Sequence, residues 1–238
     1  MPDPLIDLDA VRVSREGRVT LDDVSLRSDA RRIGVLGRNG SGKTTLARVI
    51  AGLQEVEDGR VRIAGIDVAR DRRGALGAVG ILFQNPDSQI IFPAVGEELA
   101  FGLTQLGAGD VPNRVAEILA QFGRSDWHDA AIHRLSQGQK QLVCLMAVLA
   151  MAPRVIVLDE PFAGLDIPTA MHLRRVLEGI DATLVQITHD PASVADYEAL
   201  IWLDGGRVQA QGGAEVARAY AERMAQIGAG DDLTHLSG

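Results

Sequence analysis

The sequence predicts an α/β fold: a parallel sheet core built from alternating strands and helices, an antiparallel β layer ahead of it, and a helical subdomain inserted within it. Three observations carry this. Segments 5–13 and 19–27 place apolar residues at near-alternate positions, which is the pattern of half-buried antiparallel strands. The continuous apolar run at 33–36, the four apolar residues in a row within 154–158, and the 184–187 segment read as buried strands. Between the first and second of those runs lie helical patterns at 113–122 and 137–151.

Each element follows in order. Ile6, Leu8 and Ala10, then Val11 and Val13, mark the first strand, and Val19, Leu21, Val24 and Leu26 the second, with Gly17 turning between them. Ile33–Leu36 is a buried strand followed by a Gly-rich loop and a helix over 45–53, with apolar spacing at Leu46, Val49, Ile50 and Leu53. Segments 61–63 and 79–83 are further strands. Residues 107–112 form a linker ahead of the helix carrying Val115, Ile118, Leu119 and Phe122. After the 137–151 helix and the 154–158 strand, Pro168 opens a helix over 168–180, since proline suits a first turn. Strand 184–187, a hairpin of 199–203 and 207–210 about Gly205-Gly206, and an amphipathic helix over 215–227 complete the order. Segment 228–238 lacks periodicity and is expected to fray.

Composition narrows the function. Apolar residues are 46% and charged residues 24% of 238, so the chain can bury a real core. The net charge of −8 argues against a nucleic-acid surface, and aromatics at 4% argue against a base-stacking platform. Gly reaches 26, against roughly 17 at ordinary usage, which points to tight turns or phosphate loops. A single cysteine, Cys144, excludes an internal disulfide or a multi-cysteine metal site, and its apolar surroundings make it a core residue. The start Met1-Pro2-Asp3-Pro4 has no signal-peptide pattern, and the longest apolar run, 142–152, is too short to span a bilayer.

Gly37-Arg38-Asn39-Gly40-Ser41-Gly42-Lys43-Thr44 matches G-x-x-x-x-G-K-[ST] between a buried strand and a helix. Glycines let successive N–H groups face a phosphate, and the helix N-terminus adds partial positive charge. Lys43 is expected to reach the β- and γ-phosphates of a nucleoside triphosphate, Thr44 to ligate Mg²⁺, and Thr45 to bond the α-phosphate. A plain helix-capping turn is the bland alternative, but every fixed position and the flanking context match.

Val155–Leu158 ends in Asp159-Glu160. Asp159, at the strand's carboxyl edge, is a candidate Mg²⁺ holder. Glu160 points to the other side of the strand and suits a carboxylate that polarises an attacking water. Alone, such an acid pair is as readily a cap beside Pro161. Guanine recognition through Asn-Lys-x-Asp is excluded, because none of Asn39, Asn85 and Asn113 precedes a lysine.

Leu135-Ser136-Gln137-Gly138-Gln139-Lys140-Gln141 resembles the signature segment of ABC ATPases, and other motifs follow in that family's order. Gln84 resembles the Q-loop glutamine, Ala163-Gly164-Leu165-Asp166 the D-loop, and His189 the switch histidine. The resemblance covers about 5–227 and implies the ABC ATPase fold: a P-loop NTPase parallel sheet core with an antiparallel β layer and a helical signature subdomain. The nucleotide-binding core then covers 1–84 and 153–212, the Q-loop and helical subdomain 85–152, and the C-terminal helix and tail 213–238. The resemblance implies ATP hydrolysis with Glu160, His189 and Gln84 as catalytic residues and Thr44, Gln84 and Asp159 about the Mg²⁺. It also implies a head-to-tail homodimer in which each ATP lies between one copy's Gly37–Thr45 loop and the other's Ser136, Gly138 and Gln139, with Asp166 close by.

Two positions depart from the family. Gln137 replaces the usual first glycine of the signature and is expected to be tolerated. The usual adenine-stacking aromatic is missing from 11–15, leaving an aliphatic contact from Val13 or a cation–π-like contact from Arg15 as substitutes.

Phe83-Gln84-Asn85-Pro86-Asp87-Ser88-Gln89, the apolar Ile90-Ile91-Phe92-Pro93, and Glu97-Glu98-Leu99-Ala100-Phe101-Gly102 resemble the Q-loop region of energy-coupling-factor importers, and within that group the ATPases of biotin importers. This implies a transmembrane T component docked on that surface, a substrate-binding S component in the same complex, and a peripheral place at the cytoplasmic face of the membrane. An ATPase for cobalt, nickel or another vitamin is the near alternative. A soluble ABC ATPase of repair or translation is disfavoured, because the chain has no long heptad run and one nucleotide motif set. A non-ABC P-loop kinase would lack the signature segment. His128, His133, His172 and His235 lack ligand spacing and are read as structural or exposed, and 70–73 as a solvated loop.

Overall fold

The computed structural model describes residues 4–229. They form two compact units, one from the residues up to Ala75 and from Thr183 onward, the other from Leu76–Ala182. The 230–238 tail, including His235, lies outside the described residues.

The first unit contains the antiparallel layer. β1 (Ile6–Arg15) pairs antiparallel with β2 (Arg18–Ser28) and β4 (Asp58–Ile63), and β4 with the short β5 (Ile66–Asp67). The broken alternation of β1 has a structural cause. Its register slips between Leu8 and Val11, where Ala10 takes a left-handed backbone at φ 48°, so the inward face passes to Val11 and Val13. Ala10 is therefore exposed, against the expectation from alternation. A second irregularity, with Asp23 at φ 56°, lets Leu21 and Val24 both face inward, and a further register shift between Val13 and Ser14 accompanies the exposure of Val19.

The same unit holds β3 (Arg32–Leu36), flanked in parallel by β8 (Thr183–Thr188) and β9 (Ala199–Asp204), with β10 (Arg207–Gly212) antiparallel on β9. Ile33, Val35 and Leu36 are fully buried, as a continuous apolar strand requires. α1 (Lys43–Ile50) follows β3, and α7 (Ala214–Gly228) packs Val216, Ala217 and Tyr220 over Leu36, Val194 and Leu200. Trp202 and Tyr220 meet edge to face with ring centroids 5.7 Å apart.

The second unit pairs β6 (Val79–Leu82) in parallel with β7 (Val155–Asp159). Its helical part packs α3 (Val95–Leu106), α4 (Val111–Gln121) and α5 (Gln137–Ala150) around Leu99, Leu103, Leu119, Val143 and Met146. α5 is buried over most of its circumference, and Cys144 lies wholly within it. α6 (Ile167–Glu178) follows β7, with Pro168 in its first turn as expected.

Three elements were not legible. α2 (Arg72–Ala78), in which the boundary between the units falls, begins inside the stretch read as a solvated loop, and the Gly74 N–H donates to Asp71 Oδ1 at 2.8 Å. α3 starts after Ala94, which offers no capping side chain, and contains Gly96 and Gly102, so it lacks both a start signal and helix propensity. β5 is too short to show a period. α4 begins at Val111, inside the 107–112 stretch read as linker, with Pro112 in its first turn. No helix among the described residues is long and apolar enough to cross a membrane.

Candidate functional site

The Gly-rich loop of the first unit leaves β3 at Leu36 and enters α1 at Lys43. Gly42 occupies the N-cap at φ 102°, and a Cβ there would lie 2.5 Å from the Thr20 carbonyl oxygen, so geometry and space both require glycine. The Lys43 side chain, only 7% exposed, turns back over the loop, where its Nζ donates to the carbonyls of Gly37 at 2.8 Å and Arg38 at 2.9 Å. The loop is braced from behind, as the Gly206 N–H donates to the Ser41 carbonyl at 3.0 Å and the Asp22 N–H to the Gly206 carbonyl at 2.9 Å.

Ser41 Oγ is buried and has no hydrogen-bond partner among the described residues. A buried hydroxyl left unsatisfied costs about 1–3 kcal/mol. Ser41 stands two residues ahead of Lys43, where α1 begins, a position at which an oxygen-rich anion is a fitting partner. Asn39, Gly40 and Thr44 are exposed around it and Thr45 is half-buried. Thr188 pairs with Leu36 across β3 and β8, so His189 and Gly37 leave the same sheet edge side by side. His189 is exposed there, and Asp190 accepts from the Ala192 N–H at 3.0 Å, fixing the turn that follows.

The adenine side corrects one expectation. Val13 is 1% exposed and faces the core, so it offers no surface to a base, whereas Arg15 is exposed. Val19, paired with Ser14 and 45% exposed, is the apolar side chain presented at that edge, and the slipped register of β2 is what hid it from sequence reading.

In the second unit Leu82 pairs with Leu158, so Phe83-Gln84 and Asp159-Glu160 leave their strands side by side. Asp159 is buried and ends β7. Glu160 takes a left-handed backbone at φ 49°. Such a conformation in a non-glycine residue costs about 1–3 kcal/mol and persists only where surrounding structure imposes it.

Ser136 caps α5, its Oγ accepting from the Gln139 N–H at 3.3 Å while Gln139 Oε1 accepts from the Ser136 N–H at 2.8 Å. Gln137 is exposed in the first turn and is not among the residues with left-handed backbone, so this position makes no conformational demand for glycine. Gly138 is different: a Cβ there would overlap Thr169 Cγ2 of α6. Asp166 caps α6 by accepting from the Thr169 N–H at 2.8 Å, and hydrogen bonds from Thr169 hold its carboxyl below the usual range.

The Q-loop region is braced by residues whose roles the sequence did not reveal. Gln89 accepts from the Phe83 N–H at 3.0 Å and donates to the Ile81 carbonyl at 3.2 Å. Gln141 donates to the Phe83 carbonyl at 3.2 Å, and Lys140 pairs with Asp87 at 2.6 Å, tying α5 to the loop. Glu98, 6% exposed, receives the N–H groups of Ile91 and Phe92 on one oxygen, each at 2.9 Å. Phe92 stacks on Phe101 with ring centroids 5.3 Å apart, and Ile91 stays 65% exposed. The signal was the spacing of Gln89 and Glu98 to the loop they hold, but only the fold shows which backbone groups they meet.

The structure thus gathers the Gly37–Thr45 loop with His189 in one unit. In the other it gathers Gln84 with Asp159-Glu160, and Ser136–Gln139 with Asp166-Thr169. No group of three or more His, Cys, Asp or Glu side chains among the described residues is set to hold a metal. In the second unit, Gln84 and the buried Asp159 carry hard oxygens, the donor type that suits Mg²⁺ completed by phosphate and water.

Comparisons with known proteins agree with these features. A family model described as ABC transporter matches residues 21–163, more than half of the chain. The biotin transport ATP-binding protein BioM of Rhodobacter capsulatus is 49% identical over 222 residues, covering 92% of this chain and 95% of that protein. The energy-coupling factor transporter ATP-binding protein EcfA1 of Symbiobacterium thermophilum is 40% identical over 221 residues, covering 87% of this chain and 75% of that protein. Among solved structures, cbiO1 of Clostridium perfringens, part of the ABC transporter complex cbiONQ, superposes with a TM-score of 0.78 at 27% identity, covering 94% of each chain.

Proposed function

The chain belongs to the ABC transporter family of ATPases, and from that premise we propose that it is the energy-coupling subunit of a membrane importer of the energy-coupling-factor type, whose solute is biotin. The observation that carries the reading is the phosphate loop: a buried Lys43 ammonium held over it, a Ser41 hydroxyl inside it with no partner among the described residues, and the α1 N-terminus at its end. The choice of biotin rests on the BioM protein of R. capsulatus.

In this reading the loop N–H groups from Asn39 to Thr44 and the Lys43 ammonium take the β- and γ-phosphates of ATP, and Thr45 takes the α-phosphate. Thr44, Gln84 and Asp159 offer their oxygens to Mg²⁺, which when bound neutralises phosphate charge and polarises the terminal phosphoryl oxygen. Glu160 draws the proton from a water that attacks the γ-phosphorus. The bond to the bridging oxygen then breaks, leaving ADP and phosphate. His189 and Gln84 contact the terminal phosphate and the water and report their loss.

Two copies of the chain face head to tail. Ser136 and the N–H of Gly138, at the α5 N-terminus of one copy, meet the γ-phosphate held by the other, with Gln139 fixing the cap and Asp166 near the partner loop. ATP joins the copies and hydrolysis releases them. A transmembrane T component rests on the apolar surface of Ile90, Ile91, Phe92 and Phe101, and an S component binds the solute. The chain is then peripheral, at the cytoplasmic face of the membrane, with no nucleic-acid partner.

Reconstitution with the membrane proteins encoded beside it, followed by ATP-driven uptake of labelled solutes, tests this reading. Uptake of biotin that stops with Glu160→Gln supports it. Uptake of cobalt, nickel or another vitamin instead would replace the solute and keep the mechanism. Absence of any ATP-driven uptake would overturn it.

A further inference from the structure

The segment 160–166 joins β7 to α6 and carries two residues of the proposed hydrolytic machinery, Glu160 at its start and Asp166 at its end. Its end is secured by the Asp166 cap on α6. Its start is a tight turn, in which the Ala163 N–H donates to the Glu160 carbonyl at 3.1 Å and the Leu165 N–H to the Phe162 carbonyl at 3.3 Å. Those bonds join neighbours within the segment, and the buried Pro161 packs the turn into its unit. A left-handed glutamate at φ 49° needs such an anchor.

A further anchor is a side-chain contact that no motif contains. The Arg174 guanidinium, in the third turn of α6, lies over the face of the Phe162 ring, 4.8 Å from its centroid. A cation over an aromatic face is held by the ring's negative face. Phe162 is half-buried and follows Pro161, whose ring fixes its own φ. Fixing Phe162 therefore leaves little freedom for Glu160, two residues back.

We propose that Arg174 is a positioning residue for ATP hydrolysis: stacked on Phe162, it pins the turn that sets where the Glu160 carboxylate stands. The proposal rests on the reading of Glu160 as the residue that activates water. Arg174 itself touches neither nucleotide nor water in this account. Its loss is expected to lower kcat and to leave ATP binding alone, since the phosphate loop belongs to other elements.

The test is steady-state ATP hydrolysis by the full chain assembled with its membrane partners, alongside nucleotide-binding titrations and thermal unfolding. Arg174→Ala and Phe162→Leu should each lower kcat about two- to fivefold with KM for ATP unchanged, the size expected for one exposed cation–π contact. Phe162→Tyr keeps an aromatic face and should retain wild-type kcat. The double variant should be no slower than the slower single variant, because the two residues act as one contact. Wild-type kcat in Arg174→Ala, or multiplicative losses in the double variant, would overturn the proposal, as would a lowered melting temperature with no change in kcat. Glu160→Gln run in parallel separates the two levels. If that variant hydrolyses ATP normally, the reading of Glu160 fails; if it is inactive while Arg174→Ala is normal, only the positioning role fails.

Discussion

Gly138 in the first turn of α5 packs directly on Thr169 in the first turn of α6, with no room between them for one methyl group. Alanine normally favours a helix over glycine by about 0.5–1 kcal/mol. Here the overlap reverses that sign, since overpacking costs about 1–3 kcal/mol. Gly138→Ala is expected to lower the melting temperature by a few degrees. Thr169→Ser, which removes the obstructing methyl and keeps a hydroxyl for Asp166, should restore it in the double variant. Differential scanning calorimetry of the four proteins checks this.

Lys43→Met should weaken nucleotide binding and leave the fold in place. Its ammonium is the buried cation of the loop, and charge-assisted hydrogen bonds contribute about 1.5–3 kcal/mol, equivalent to about a 10- to 150-fold loss of ATP affinity. Isothermal titration with a non-hydrolysable ATP analogue measures the loss, and an unchanged circular dichroism spectrum shows that the chain is still folded.

Glu98→Ala leaves the N–H groups of Ile91 and Phe92 without their acceptor and is expected to destabilise the chain by about 3 kcal/mol. Glu98→Gln keeps a carbonyl oxygen in place and should cost less. Urea unfolding midpoints rank the two. Because the brace shapes the apolar surface proposed for the T component, Glu98→Ala should also weaken co-purification with that partner, while Gln84 and Glu160 remain in place.

Burial, with Glu98 and Asp87 nearby, pushes the Cys144 thiol up to about 12. In the unfolded chain the thiol ionises near its ordinary value of about 8.5. Between those two values the unfolded state holds fewer protons than the folded state, so stability falls as pH rises through this window and is unaffected below it. Native protein at pH 8 should resist iodoacetamide and become labelled only on adding denaturant. Labelling of native protein within minutes would show that Cys144 is accessible.

The sequence makes the fold legible wherever period and punctuation coincide. The run Ile33–Leu36 ahead of its glycines, the apolar body of α5 behind the Ser136 capping box, and the hairpin at Gly205-Gly206 all stand close to where local chemistry places them. Reading fails where the cause is non-local. The bulge at Ala10 carries the inward face of β1 to Val11 and Val13, and the register shift between Val13 and Ser14 accompanies the exposure of Val19. α3, with its two glycines and no cap, is held by packing of Leu99 and Leu103 in the core. The candidate site follows the same rule. Its motifs are contiguous and could be quoted, whereas the braces by Gln89, Glu98, Gln141 and Arg174 join residues that only the fold brings together.

Two copies enclose ATP and Glu160 releases them, and the mass of the Glu160→Gln variant tests that proposal most directly. In light scattering with Mg²⁺ and ATP, it should change from the mass of one chain to twice that mass and stay there, while Lys43→Met remains a single chain. If Glu160→Gln binds ATP yet keeps the mass of one chain, or if the wild-type protein hydrolyses ATP at full rate at dilutions where only single chains exist, the enclosed-nucleotide dimer is contradicted.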